Sequence, residues 1–127
     1  MTQPPVALSL LLCEQAVIEA HTNNVTLVNC FTQLRVERIP SEGKRFIVFA
    51  ALSDGEGDVT MEVAITRLDI GEEIYREIRP LRFRRRLQVV RFIYRATQVI
   101  FPTLGSYEAA LRAEGRPIGH HRFTVVK

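Results

Sequence analysis

The sequence predicts an all-β protein, a sandwich of about seven to eight antiparallel strands. Apolar and polar residues alternate over long stretches, which is the period of a strand with one face exposed. Turn residues recur about every 8–12 positions, and no long helical pattern occurs. Apolar residues make up 46% of the 127 residues, enough for one core, so we expect a single domain over residues 1–127.

Residues 6–13 are apolar except for Ser9 and predict a buried first strand. A signal sequence is the alternative, but no Lys or Arg side chain precedes the run, and Leu12 stands where a lipid-attachment site needs a small residue. We therefore expect a cytoplasmic protein without a membrane partner. In that compartment Cys13 and Cys30 would stay as free thiols, and a disulfide between them is the alternative.

The segment that follows is ambiguous. Ala16, Val17 and Ala20 recur at helical spacing, so a short helical turn over residues 13–20 is an alternative to a strand. Asparagines at 23 and 24 predict a turn, and a strand is expected from residue 25 to about residue 36. Residues 40–43 then form a loop.

The centre of the chain predicts a hairpin. Residues 46–52 are apolar on both faces, as in a central strand of a covered sheet. Residues 54–58 hold two glycines and separate this strand from an alternating strand over 59–65. A second turn at 69–72 leads into a strand over 74–78.

The C-terminal part predicts three more strands. The longest candidate is 87–101, which ends before Pro102 because proline cannot donate a ladder hydrogen bond. One face of this strand is expected to carry Gln98 as a polar exception together with these residues: Val90, Phe92, Tyr94, Ala96 and Ile100. A strand from about residue 107, a turn at 114–117 and a last strand through 123–125 complete the chain.

Tyr107 sharpens the fold class. It follows Pro102 and Gly105 at the start of the penultimate strand. In immunoglobulin-like sandwiches a Tyr at this place bonds its hydroxyl group to an upstream backbone group. We therefore assign Tyr107 a structural role and predict an immunoglobulin-like β-sandwich.

Five short motifs resemble a family of small uncharacterised bacterial proteins that consist of one domain of unknown function. They are LLCE at 11–14, NVTL at 24–27, FAALSDG at 49–55, EIYR at 73–76 and GSY at 105–107. The resemblance extends over almost the whole chain. It implies an immunoglobulin-like sandwich in the bacterial cytoplasm, and it implies no catalytic residue.

The charges of the chain are segregated. The net charge is +3, but residues 1–78 sum to −6, while residues 79–95 hold seven arginines and no acid. We call residues 79–95 the basic segment and predict that its arginines bind a partner or an anion. They are Arg79, Arg82, Arg84, Arg85, Arg86, Arg91 and Arg95.

Arginine suits bidentate recognition of carboxylate or phosphate. Arg91 and Arg95 would lie on one strand face, roughly 13 Å apart. A protein partner or a second copy of the chain is favoured, and nucleic acid is the weaker alternative because only two Lys and no Trp are present. Pairing with the acids of the hairpins at 54–58 and 72–77 is the competing, intramolecular interpretation.

No catalytic, metal or cofactor site is predicted. His120 and His121 are adjacent, so on a strand they face opposite sides. The acids at 54, 56 and 58 fit an ordinary turn better than a calcium loop. We expect a binding or assembly module without enzymatic activity, which meets a protein partner through a sheet edge or through the arginines of the basic segment. We rank a small hydrolase or metal-dependent enzyme last.

Overall fold

Nine strands in two facing sheets make up the protein, for which the computed structural model describes residues 2–127. These residues contain no helix, and therefore none with the length and apolarity to cross a membrane. The strands are β1 (Val6–Ile18), β2 (Val25–Cys30), β3 (Gln33–Arg35), β4 (Lys44–Ser53), β5 (Gly57–Arg67), β6 (Glu72–Phe83), β7 (Val90–Val99), β8 (Gly105–Ala113) and β9 (Arg116–Val126).

One sheet has four strands and the other has five. The four-stranded sheet has the order β2-β1-β4-β7, and all its neighbours are antiparallel. The five-stranded sheet has the order β3-β9-β8-β5-β6, in which β3 runs parallel to β9 and the other pairs are antiparallel. β6 and β7 are therefore edge strands of opposite sheets.

The core lies between the two sheets and follows the alternation of the sequence. In β5, Val59, Met61, Val63 and Ile65 are all at most 1% exposed, while Thr60 and Glu62 on the opposite face are more exposed and Ala64 is buried there. In β4 both faces are buried, as the continuous apolar run of 46–52 predicts. One set of β4 side chains joins the main core and the alternate set packs on the outer face of the four-stranded sheet.

Tyr107 closes one end of the core. Its ring is fully buried between Phe101 and Phe123, with centroids 5.0 and 5.9 Å away. Its hydroxyl group donates a hydrogen bond of 2.8 Å to the carbonyl oxygen of Thr103. This is the upstream backbone bond that the sequence predicts for Tyr107, and it ties the β7–β8 connection to the core.

The helical turn that was the alternative for residues 13–20 is not formed. Cys13 to Ile18 continue β1 as a strand and pair with β2 in register, from Cys13 opposite Cys30 to Ile18 opposite Val25. A hairpin turn brings a complementary strand within reach, and the β-branched pair Val17 and Ile18 suits a strand better than a helix. The helical spacing of three small residues is overridden by this pairing.

The strand predicted from 25 to 36 is two strands. β2 belongs to the four-stranded sheet and β3 to the five-stranded sheet, so the chain crosses between the sheets near residues 31–32. Phe31 lies at the crossing and packs edge-to-face on Phe46 and Phe123. One stretch of sequence that predicts a single strand thus contributes to both sheets. The alternation of its residues does not show where the chain crosses from one sheet to the other.

The long strand predicted over 87–101 is shorter and changes face near its end. Gln98 has a φ of 57°, and the register with β4 shifts beside it. Val99 consequently faces the core at 1% exposure, whereas Ile100 is 53% exposed. The prediction that Ile100 lies on the same face as Phe92 and Tyr94 was wrong, because a bulge inserts one residue into the alternation.

The β1–β2 hairpin folds back over the outer face of the four-stranded sheet, and we call residues 14–30 the arm. β1 leaves β4 at Cys13, opposite Ile47, and a straight hairpin would continue about 16 Å further away from Ala51. Yet Arg91, which pairs with Ala51, donates a hydrogen bond of 3.1 Å from Nη1 to the carbonyl oxygen of Asn23 at the arm tip. The arm must therefore bend back.

Apolar contacts hold the arm on the sheet. Ala16, Val25 and Leu27 of the arm pack against a small cluster that includes Ile47 and Phe49 of β4. Near the base of the arm, Asn29 has a φ of 54°, and its side-chain nitrogen Nδ2 donates a hydrogen bond of 3.0 Å to Glu14 Oε2. The arm thereby gives the four-stranded sheet a second, smaller apolar layer.

Candidate functional site

The seven arginines of the basic segment lie on several surfaces at one side of the sandwich. In the four-stranded sheet they occupy the outer face, and in the five-stranded sheet they occupy both faces of the edge strand. They are Arg79 on the inner face of β6, Arg82 on its outer face, Arg84, Arg85 and Arg86 in the following loop, and Arg91 and Arg95 on the outer face of β7.

Two of these seven arginines lie within ion-pair distance of a carboxylate in residues 2–127. Arg79 Nη1 is 3.4 Å from Glu77 Oε2, and Arg82 Nε is 3.2 Å from Asp58 Oδ1. Both pairs are well exposed, and such pairs stabilise a fold by at most about 1 kcal/mol. Intramolecular pairing therefore accounts for two of the arginines and leaves five of the described ones for other contacts.

Other acids of the chain neutralise a different set of arginines. Glu62 of β5 lies on the outer face of the five-stranded sheet, 2.7 Å from Arg112 Nη1 and 2.9 Å from Arg76 Nε. Arg112 also reaches Glu73 at 3.6 Å. Hydrogen bonding from Arg112 lowers the pKa of the Glu62 carboxyl group below its ordinary value. This network makes the outer face of the five-stranded sheet locally balanced in charge.

A groove of about 470 Å³ lies between the edge strands β6 and β7. Residues 91–95 of β7 form one side, and Arg79 and Leu81 of β6 form the other. We call it the β6–β7 groove. Five consecutive residues of one strand line it, so the backbone edge of β7 lies along the groove, together with side chains from both faces of the strand.

Aromatic side chains form the inner part of the groove. The guanidinium carbon of Arg79 lies 5.3 Å from the centre of the Tyr94 ring, which is a cation–π contact. The hydroxyl group of Tyr94 is hydrogen-bonded to that of Tyr75, and the Tyr94 ring stacks on Phe92. Burial is the main cause that raises the pKa of Tyr94, so its hydroxyl group stays protonated at neutral pH. Arg79 is thus held over the groove by a neutral aromatic surface.

Both walls of the groove are strand edges without a neighbour in the described chain. β7 pairs with β4 alone, and β6 pairs with β5 alone. Glu77 and Arg79 point inward by their register with β5 but are exposed, because β6 extends past the edge of the opposite sheet. An unpaired edge presents backbone donors and acceptors that can pair with another strand.

A second cleft, of about 590 Å³, lies where β1 leaves β4. The arm contributes Glu14 to its lining, β4 contributes Lys44 and Arg45, and β7 contributes Arg95. Lys44 is engaged with Glu42 at 3.5 Å. Arg45 and Arg95 both line this cleft although they lie fifty positions apart in the sequence, so the sequence alone did not reveal that they are neighbours.

The remaining candidates from the sequence do not converge in the structure. Asp54 has a φ of 61° in the turn after β4. Asp58 forms an ion pair with Arg82 and does not converge with the other acids of the loop. In β9, His120 is exposed and His121 is partly buried, with no hydrogen-bond partner at its buried Nδ1 atom. Residues 2–127 contain no cluster of three or more His, Cys, Asp or Glu side chains arranged for a metal ion.

Comparison with solved structures finds similarity to the alkylpurine DNA glycosylase AlkC of Pseudomonas fluorescens, bound to DNA that contains an abasic site analog. The identity is 11% and the TM-score is 0.45. The similarity extends over 93% of this chain, and this chain spans 30% of that protein. No curated protein matches the sequence significantly.

A family model matches residues 8–126, which include all strands except the first two residues of β1. The family is described as one of unknown function. Because the match extends over nearly the whole chain, this protein belongs to the family of unknown function DUF6941.

Proposed function

We propose that this protein is a non-enzymatic interaction module that captures an acidic, extended segment of a partner protein in the β6–β7 groove. The observation that supports this function is the unpaired edge of β7, flanked by Arg79, Arg91 and Arg95. A peptide that adds a strand to an open sheet edge gains main-chain hydrogen bonds and places its side chains alternately on the two faces. Arg91 and Arg95, which meet no carboxylate within ion-pair distance in the described residues, supply the charge preference.

The register of the groove specifies the segment. Arg91 and Arg95 lie on the outer face, so acids four positions apart on the added strand would meet them. The opposite face of the added strand would meet Leu81 and the Tyr94 ring, which favour apolar residues. We therefore expect a segment with acidic residues at positions i and i+4 and apolar residues at i+1 and i+3.

The test uses synthetic peptides of this pattern and the full protein. We expect binding to fall at least about tenfold in the double variant Arg91→Glu, Arg95→Glu, because two attractive charges become repulsive. The matched control is Arg116→Glu, Arg122→Glu in β9, which changes the net charge equally on exposed residues outside the groove. Equal loss in both variants would mean that only net charge matters, and would overturn the proposal.

A second experiment tests whether the backbone of the peptide pairs with β7. Methylating alternate peptide nitrogens removes the donors that face β7 and should abolish binding, whereas methylating the other set should not. If neither set matters, the peptide does not bind as an added strand. Titrating salt separates the two contributions, since the charged contacts weaken with ionic strength more than the main-chain bonds do.

Polyanion binding is the second candidate function. Arg84, Arg85 and Arg86 are exposed in the β6–β7 loop and meet no carboxylate within ion-pair distance in the described residues. Changing all three to Ser should abolish retention on single-stranded DNA if this loop binds nucleic acid, and retention of the wild type should fall steeply with salt. Peptide binding in the groove should persist in the same variant.

The proposal includes an immunoglobulin-like topology. β9, β8 and β5 correspond in order to strands G, F and C of such domains, and β1, β4 and β7 correspond to A, B and E. The bond from Tyr107 to Thr103 is the tyrosine corner of the F strand. The arm between β1 and β3 would then be an addition to the common fold. We also propose a cytoplasmic location, which the two free thiols support.

A further inference from the structure

We propose that Cys13 and Cys30 form a reversible intramolecular disulfide that closes the base of the arm when a small-molecule disulfide such as oxidised glutathione is present. Both cysteines are free thiols in the structure. The inference does not depend on the proposed partner, because it concerns the covalent chemistry of the β1–β2 ladder alone.

The first argument is the register. Cys13 of β1 and Cys30 of β2 lie directly opposite each other in an antiparallel ladder. Opposed residues in such a ladder have Cα atoms about 4.5–5.5 Å apart, and disulfides join Cα atoms about 4.4–6.8 Å apart. Side-chain rotation is therefore sufficient to bring the two sulfur atoms together, without a shift of either strand.

The neighbouring pair refines this geometry. The amide nitrogen of Phe31 donates to the carbonyl oxygen of Leu12 at 2.9 Å, so Leu12 and Phe31 form a hydrogen-bonded pair. Pairs alternate along an antiparallel ladder, which makes Cys13 and Cys30 a non-hydrogen-bonded pair. Side chains are closer together in pairs of that kind, which favours the bridge.

The second argument is the difference in exposure between the two thiols. Cys30 is exposed, while Cys13 is fully buried under the arm. A dissolved disulfide therefore reaches Cys30 first. Burial raises the pKa of the Cys13 thiol, with the nearby Cys30 as a second cause, so Cys13 reacts as the slower, resolving thiol.

The chemistry balances in two exchange steps. The Cys30 thiolate attacks one sulfur of oxidised glutathione, the glutathione S–S bond breaks, and one glutathione thiolate leaves and takes up a proton. Cys13 then loses its proton to solvent and attacks the Cys30 sulfur, which releases the second glutathione. Two protein thiols lose two electrons and two protons in total, and one oxidised glutathione becomes two reduced molecules.

The position of the bridge predicts its effect. Cys13 also pairs with Ile47 of β4, and Ile47 pairs with Arg95 of β7, so the two cysteines lie in one transverse row of the four-stranded sheet. The bridge would fix β2 to β1 at the point where the arm bends away. We expect amide hydrogen exchange of residues 14–30 to slow at least about tenfold on oxidation.

The experiment incubates the full protein with oxidised glutathione, traps remaining thiols by alkylation in acid-quenched samples, and measures intact mass and linked peptides. We expect a monomer lighter by two hydrogen atoms, a peptide pair that joins Cys13 and Cys30, and full reversal by dithiothreitol. A stable glutathione adduct on Cys30, or a dimer linked through Cys30, as the main product of the wild type would overturn the proposal.

Two variants separate the roles of the thiols. Cys13→Ser should stop at the glutathione adduct on Cys30, while Cys30→Ser should resist modification because its remaining thiol is buried. If Cys13→Ser fails to fold, the wild-type mass and peptide map still decide the matter. Rapid modification of Cys13 in folded Cys30→Ser would contradict the assigned order of reaction.

Discussion

Three atoms of Thr103 meet the hydroxyl group of Tyr107. The hydroxyl group donates to the carbonyl oxygen at 2.8 Å, and the amide nitrogen and Oγ1 of Thr103 each lie 3.3 Å from it. The ring itself is completely buried. One side chain therefore serves both the core and the backbone of the loop that leads into β8.

Replacing Tyr107 by Phe separates these two contributions. The ring stays in place, but the backbone groups of Thr103 lose their partner, so we expect the free energy of unfolding to fall by about 1–2 kcal/mol. Urea denaturation measures the change. Tyr75→Phe is a suitable control, since the hydroxyl group of Tyr75 is hydrogen-bonded to the side chain of Tyr94 and not to a backbone group. An equal loss in both variants would contradict the special role of Tyr107.

Glu62 predicts a dependence of stability on pH. Arginine contacts lower its pKa in the folded state, so the carboxylate stabilises the fold above its unfolded pKa of about 4.3, and this stabilisation disappears as the pH falls through the folded pKa. Glu62→Gln should cost about 1–2 kcal/mol at pH 7, because Arg76 and Arg112 lose their shared partner.

Denaturation curves of wild type and Glu62→Gln at several pH values test this expectation. The difference between the two proteins should shrink as the pH falls below the unfolded pKa of about 4.3, and it should be lost once the pH is below the lowered folded pKa of Glu62. A difference that is independent of pH would show that the charge of Glu62 is not the cause. Glu108→Gln is the matched control, since Glu108 makes a longer pair of 3.5 Å with the exposed Arg122.

At the scale of elements, the β8–β9 hairpin departs from the residues that its turn prefers. Its two loop residues, Glu114 and Gly115, have φ values of 50° and 78°. Two-residue turns of this kind favour Asn followed by Gly, because both central residues are left-handed. Glu114→Asn should therefore stabilise the protein by about 0.5–1 kcal/mol.

The substitution Gly115→Ala in the same turn is expected to have the opposite effect on stability. No atom lies within 4 Å of a Cβ added at Gly115, so any loss of stability comes from the backbone conformation alone. We expect a loss of about 1 kcal/mol in thermal or urea unfolding. Equal stability of all three proteins would indicate that the turn relaxes into another conformation.

The arm should open separately from the sandwich. Leu27→Ala removes an apolar contact with the β4 cluster, so amide exchange of residues 14–30 should quicken about tenfold while β5 and β8 keep their protection. Val28→Ala is the control, because Val28 is not part of either apolar cluster. Exchange that quickens across both sheets would mean that the arm and the sandwich unfold as one unit.

Strand alternation in the sequence predicts most elements of the fold and not its irregularities. The inward faces of β5 and β8 follow directly from residues 59–65 and 107–111, since each strand is unbroken. Gln98 and Asn29, by contrast, adopt left-handed conformations that neither residue type demands. Pairing with residues that are distant in the sequence imposes these two conformations. The bulge in β7 and the bend of the arm could therefore not be predicted from the neighbouring residues alone.

At the scale of the whole molecule, the basic segment was predictable and its arrangement was not. The sequence places Arg91 and Arg95 on one strand face, and the structure has them there. The position of Arg79 over Tyr94 depends on one sheet being a strand wider than the other, which no local pattern encodes. The Arg45–Arg95 cleft likewise depends on where β1 leaves β4.

The parallel pairing of β3 with β9 has a consequence for synthesis of the protein. Residues 33–35 find their partners at residues 124–126, about ninety positions later. The ribosome adds roughly 5–20 residues per second, so this edge stays open for about 5–20 s after β3 emerges. The β1–β2 and β5–β6 hairpins can form during that time, whereas the five-stranded sheet closes only when translation has passed residue 126. A nascent chain therefore exposes the edges of β3 and β8, between which β9 later inserts, to chaperones until then.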